Sequence, residues 1–126
     1  MRLTIEVSPG EAADKLTILH IKRDRIRDAE KLAHVGREAA MLDAALAPLR
    51  ARFPAILPLI ADLRAVNEAL WDIEDELRVL EKRHDFGPRF VELARGVYVT
   101  NDRRARIKAE INAILGSDIA EQKSYA

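Results

Sequence analysis

Cysteine is missing from all 126 residues. Its absence excludes a disulfide framework, a thiolate nucleophile and a cysteine-ligated zinc, and leaves the redox compartment open. Aromatics are scarce at 5%, glycine and proline number five each, and the 48% apolar share is mostly Ala, Leu, Ile and Val, a composition of packed helices. No sign of charge dominates. The 21 basic and 21 acidic residues cancel, so no global field draws the chain toward nucleic acid or an anionic membrane, and any electrostatic function must be local. No run approaches the roughly 18 continuous apolar residues of a membrane span, and "MRLTIEVSPG" lacks the apolar stretch of a signal peptide. The expectation is a cytoplasmic protein of one domain, residues 1–126, long enough to bury a core without disulfides or a structural metal.

What is present is punctuation and periodicity. Leu3, Ile5 and Val7 alternate with Arg2, Thr4 and Glu6, the period of a short strand with one buried face. Residues 1–7 are therefore read as an extended arm, paired with its copy in a second subunit or laid along the helices. Ser8-Pro9-Gly10-Glu11 reads as a capping box, the Ser8 oxygen accepting from the Glu11 amide and the glutamate reaching back. As a phosphate loop it is poorly made, because Pro9 removes one amide and a glutamate in the first turn repels an anion.

Helix one is predicted from about Pro9 to Arg27, and Asp28 caps a second helix that runs to about Ala51. Leu32, Val35, Ala39, Leu42, Leu46 and Leu49 are spaced 3, 4, 3, 4, 3, a coiled-coil-like seam. "RFPAILP" breaks the pattern, and helix three follows with Leu59, Leu63, Val66, Leu70, Ile73, Leu77 and Leu80 in the same rhythm. "HDFGP" is a second break, with Gly87 available to cap helix three and Pro88 to open helix four. Helix four is predicted to run to about Leu115, with Gly116 ending it, 116–126 as a tail, and Thr100 and Asn101 as a possible kink. The fold class is all-α: an antiparallel, up-down four-helix bundle with an N-terminal strand or arm.

The stretches "SPGEAADKLTILHIK", "VNEALWDIEDELR", "FGPRFVELARGVYVTNDRRARIKAEIN" and "GSDIAEQKSY" together resemble an uncharacterised bacterial family of small helical proteins, a domain of unknown function. The resemblance spans nearly the whole chain. It implies an all-helical bacterial protein and carries no activity with it.

Placing side chains at about 100° intervals shows polar residues inside apolar sectors. Lys15 and Lys22 project from the apolar face of helix one, and Asn101, Arg104, Lys108 and Asn112 fall within the buried side of helix four. Helices three and four turn near residue 86, so residues whose numbers sum to about 173 share a level. That arithmetic gathers Lys22, Asn67, Trp71, Glu74, Tyr98, Asn101, Arg104 and Lys108 into one layer. Three cations then meet one carboxylate, Glu74. Buried charge costs several kcal/mol per ion unless compensated, so the layer is a candidate pocket for a small anionic ligand, a carboxylate or phosphate. It resembles the dicarboxylate sites of chorismate-mutase-type bundles in kind only. Against the pocket stand snorkelling cations and simple interhelical pairing.

Other signals are weaker. "RRARIK" and "KRDRIR" carry the charge to grip phosphate backbones, but Asp72, Glu74, Asp75 and Glu76 lie opposite to neutralise them. Those carboxylates point to different sides of the helix, which argues against magnesium. His20, His34 and His84 lack zinc spacing, and none of Ser8, Ser117 and Ser124 sits beside a base. No metal, cofactor, nucleic acid or membrane is expected. The preferred reading is a self-associating helical module, a homodimer whose seams and N-terminal strand are buried partly against another chain, with the anionic-ligand protein as the alternative.

Overall fold

Ser8 starts the first helix. In the computed structural model, which describes residues 1–117, α1 spans Pro9–Arg25, with Ser8 Oγ accepting from the Glu11 amide at 3.2 Å and Pro9 at a position that needs no donor. Asp28 caps α2, Ala29–Arg52, by accepting from the Glu30 and Lys31 amides. The third helix, α3, spans Ile56–Lys82 and carries Pro58 in its first turn; α4 spans Pro88–Ile114 and is continuous through Thr100 and Asn101. Of the expected tail, the part from Asp118 onward lies outside the described residues.

No strand forms among the described residues; residues 1–7 precede α1 without regular structure, and Leu3, Ile5 and Val7 lie exposed. One expectation is corrected: Gly87 does not cap α3. The left-handed residue that must follow the last turn is His84, at φ 52°, with the Asp85 amide donating to Leu80 O and the His84 amide to Glu81 O, each at 3.0 Å. Gly87, at φ −75°, already stands at the start of α4. The same two-bond closure ends α4, where Gly116 at φ 64° does take the predicted position and Ser117 N donates to Asn112 O.

Side-chain pairs fix the helix directions. Lys15 with Glu38 sets α1 antiparallel to α2, while Glu11 with Lys108 and Asp14 with Arg104 set it antiparallel to α4. Asp14 with Asn67, Asp24 with Arg64 and Arg25 with Asp72 tie α1 to α3. The result is an up-down bundle in which α1, the shortest helix at 17 residues, touches all three others. Its Ala13, Leu16 and Leu19 meet Val35, Ala39 and Leu46 of α2, Ile56, Leu63 and Val66 of α3, and Ile107 and Ile111 of α4 in one core. Such interior positions are what the 3, 4 spacings encode. Lys15 avoids that core altogether: its ammonium is exposed and pairs with Glu38 at 2.6 Å.

One local flaw in α2 gives a direct prediction. Pro48 sits inside the helix and is exposed, so the Ala44 carbonyl loses its amide donor and the ring presses on the preceding turn. Arg50 partly steadies that turn by donating to Asp43 Oδ1 at 2.7 Å and to Asp43 O at 3.3 Å. Pro48→Ala is expected to stabilise the protein by about 1–2 kcal/mol, since an interior proline costs about 3 kcal/mol and the unfolded-state term returns part of it. Urea denaturation followed by helical circular dichroism measures this. An unchanged midpoint would mean that α2 does not unfold with the rest.

Candidate functional site

Asp14 is the residue on which the middle of the bundle is organised. It belongs to the stripe Gly10, Asp14, Thr17, Ile21, four positions 4, 3 and 4 apart that all face inward from α1. Its carboxylate is 1% exposed. Arg104 of α4 grips it with two nitrogens, Nε at 2.8 Å from Oδ1 and Nη2 on Oδ2, while Asn67 Nδ2 of α3 donates to Oδ1 at 2.9 Å. Three helices are thus tied at one carboxylate. Thr17 joins by donating its hydroxyl to the Asp14 carbonyl at 2.8 Å and accepting from Asn67 Nδ2 at 2.8 Å. Asn101, one turn before Arg104, accepts from its Nη1 at 3.4 Å.

A second lock lies toward the start of α1. Lys108 is 7% exposed and pairs with Glu11 at 2.7 Å, and Asn112 Oδ1 accepts from the Gly10 amide at 2.7 Å. Glu11 therefore completes only half of the expected box: Ser8 caps its amide, but its carboxylate turns away to Lys108 instead of reaching back to Ser8. A desolvated ammonium outcompetes a neutral cap amide for a carboxylate, because an uncompensated buried charge costs more than an unmade cap bond.

The layer expected from the sequence is divided accordingly. A pocket of about 380 Å³ opens between α1, α3 and α4, lined by Ile18, Ile21, Leu70, Trp71, Asn67, Glu74, Asp75, Arg78, Asn101 and Arg104. It brings together Asn67, Trp71, Glu74, Asn101 and Arg104 of the candidate set. The others stand elsewhere. Lys22 is half-buried on α1 without lining the pocket. Lys108 is committed to Glu11, and Tyr98 is 55% exposed on the outer side of α4, where Arg95 Nε reaches its hydroxyl at 3.4 Å. Trp71 carries the Arg25 guanidinium over its ring at 5.7 Å, and Arg25 is held there by Asp72 at 2.6 Å.

These pairings compensate two of the three cations without an anion. The three cations counted in the layer were set against Glu74 alone, whereas Asp14 and Glu11 of α1 supply the compensation for Arg104 and Lys108 from within the chain. With Arg104 neutralised by Asp14, the pocket wall keeps Glu74 and Asp75 against Arg78 (−2 + 1), one net negative charge. No His, Asp or Glu group of three converges as a metal site among the described residues. His20 lies outside the layer, its imidazole held below its ordinary value by burial and then by Arg23 and Arg64. Asp14 is the buried charge that sequence reasoning missed. Heptad arithmetic marks it, seven positions before the buried Ile21.

A family model described as a family of unknown function (DUF6165) matches residues 3–126. The chain belongs to that family. Membership agrees with the resemblance drawn from the four sequence stretches and assigns no reaction to the pocket. No curated protein and no solved structure gives a significant match. No helix among the described residues is long and apolar enough to cross a membrane.

Proposed function

We propose that the protein is a self-associating helical module in which the outer groove of α4 in one copy receives the N-terminal arm of another. The supporting observation is the groove itself, about 730 Å³, open to solvent and lined by Phe86, Pro88, Val91, Gly96 and Val99, with Glu92 and Arg95 among its edges. Phe86, Val91 and Val99 are each half-exposed, an apolar continuity of the kind found at contact surfaces. The arm offers the matching chemistry in Leu3, Ile5 and Val7, which share one side of an extended chain.

Distance favours the arm of a second copy. Gly10 is fixed beside Asn112 near the far end of α4, and Leu3, seven residues ahead of it, reaches at most about 24 Å. Val99, 13 residues from Asn112, is roughly 20 Å away along the helix and within that reach, but Val91, 21 residues from Asn112, is roughly 32 Å away and beyond it, so only a second copy's arm can fill the whole groove. A formal net charge of zero opposes no encounter between copies.

Light scattering coupled to gel filtration tests the reading. The expected mass is twice the 14.2 kDa of the chain, falling to one chain in Val91→Glu/Val99→Glu and in a variant lacking residues 2–7. A wild-type protein that elutes as a single chain at tens of micromolar sinks it. A cytoplasmic location belongs to the same reading, and cell fractionation checks it.

A further inference from the structure

The geometry points to the pocket between α1, α3 and α4 as a binding site for a small organic cation, an ammonium or guanidinium on a short apolar skeleton. The decisive group is Asn67, which is 5% exposed. Its amide orientation is fixed by chemistry. The Thr17 hydroxyl spends its proton on the Asp14 carbonyl, and the Asp14 carboxylate can only accept, so both need a donor from Asn67, and Nδ2 supplies it at 2.8 and 2.9 Å. The carbonyl oxygen on the other prong is thereby turned away from α1 and toward the pocket that Asn67 lines. It accepts no hydrogen bond among the described residues. Because every fully buried side-chain polar atom among the described residues has a partner, this oxygen is one that a molecule in the pocket can reach.

The rest of the wall suits the same class of ligand. Glu74 and Asp75 add acceptors at the rim, Ile18, Ile21 and Leu70 supply apolar surface, and Trp71 already holds one guanidinium, that of Arg25, over its ring. The net charge is negative, and the volume is that of a small-metabolite site. An anion would face the Glu74 and Asp75 carboxylates and the Asn67 carbonyl, and of the two guanidiniums in the wall, Arg78 and Arg104, the second is already seated on Asp14. This site is independent of the α4 groove and of any dimer formed through it.

Trp71 is the only tryptophan in the chain, so its fluorescence reads the pocket without labelling. The full-length protein is titrated at constant ionic strength with n-butylguanidinium, n-butylammonium and sodium butyrate, and with sodium chloride as the blank. The expected result is a saturable change with the two cations and none with butyrate. In Glu74→Gln/Asp75→Asn, two exposed positions outside the core, the affinity for the cations should fall by about tenfold or more, the loss expected for charge-assisted bonds. Nuclear magnetic resonance shifts of the Asn67 side-chain amide on addition of butylguanidinium give a second reading that does not depend on Trp71. A saturable response to butyrate equal to that of the cations overturns the proposal. So does an unaltered cation affinity in the double variant, or the lack of any saturable response in both measurements.

Discussion

Asp14→Ala is expected to cost about 3–5 kcal/mol of stability, the range seen when one member of a buried ion pair is removed. The physical reason is that the carboxylate is not merely one half of a pair. It accepts two bonds from Arg104 and one from Asn67, so its loss strands a guanidinium whose side chain is 28% exposed and leaves a buried amide short of an acceptor. Asp14→Asn should lose less, because an oxygen remains for Asn67 while the charge partner of Arg104 disappears. Arg104→Ala should also destabilise, and the double variant should fall short of the sum by at least about 1.5 kcal/mol, the mark of direct coupling. Equilibrium urea denaturation of the four proteins decides the matter. A loss below about 1 kcal/mol for Asp14→Ala would show that water compensates Arg104 as well as the carboxylate does, and the lock would be reduced to an ornament of the core.

Gly10→Ala is expected to be the second large effect, at about 2–4 kcal/mol. A Cβ on Gly10 would lie 2.5 Å from the Lys108 carbonyl oxygen and 2.9 Å from Asn112 Oδ1, and neither the α4 backbone nor a side chain bonded to the Gly10 amide can retreat freely. The methyl group must separate α1 from α4, which combines overpacking with the loss of a buried hydrogen bond. Gly36→Ala is the matched control. Nothing lies within 4 Å of its added Cβ in the interior of α2, so it should gain about 0.5–1 kcal/mol from helix propensity alone. Opposite signs for the two glycines in thermal and urea melts are the expected result; equal signs would place the α1–α4 contact further apart than described.

These two positions also show what the sequence discloses and what it withholds. The four helices are legible because their signals are local: Ser8 and Asp28 cap the amides just downstream, the leucines of α3 recur every three or four residues, and Pro88 opens α4. Parts of the polar layer are legible for the same reason, since Asn101 and Arg104 fall in the apolar sector of α4 and Asn67 flanks the leucine seam of α3. The partners are another matter. Whether Arg104 meets Glu74 or Asp14 depends on how far α1 slides along α4, and that is set by the close approach at Gly10, a contact 102 residues apart in sequence. Tyr98 fails by azimuth. It shares a level with the layer, but six residues before Arg104 turns it about 120° around the helix and out to solvent. Glu11 fails by competition, since its local cap and its distant lysine both want the same carboxylate.

The lopsided attachment of α2 bears on how the molecule opens. This 24-residue helix leans chiefly on α1 and buries only Val35, Ala39 and Leu46, while α1, α3 and α4 are stitched together through Asp14, Asn67 and Arg104. Amide protons of α2 should therefore exchange with solvent through a partial opening that leaves the other three helices intact, in a unit of its own within the native state. Protection would be hierarchical, with the carboxylate-tied trio exchanging last.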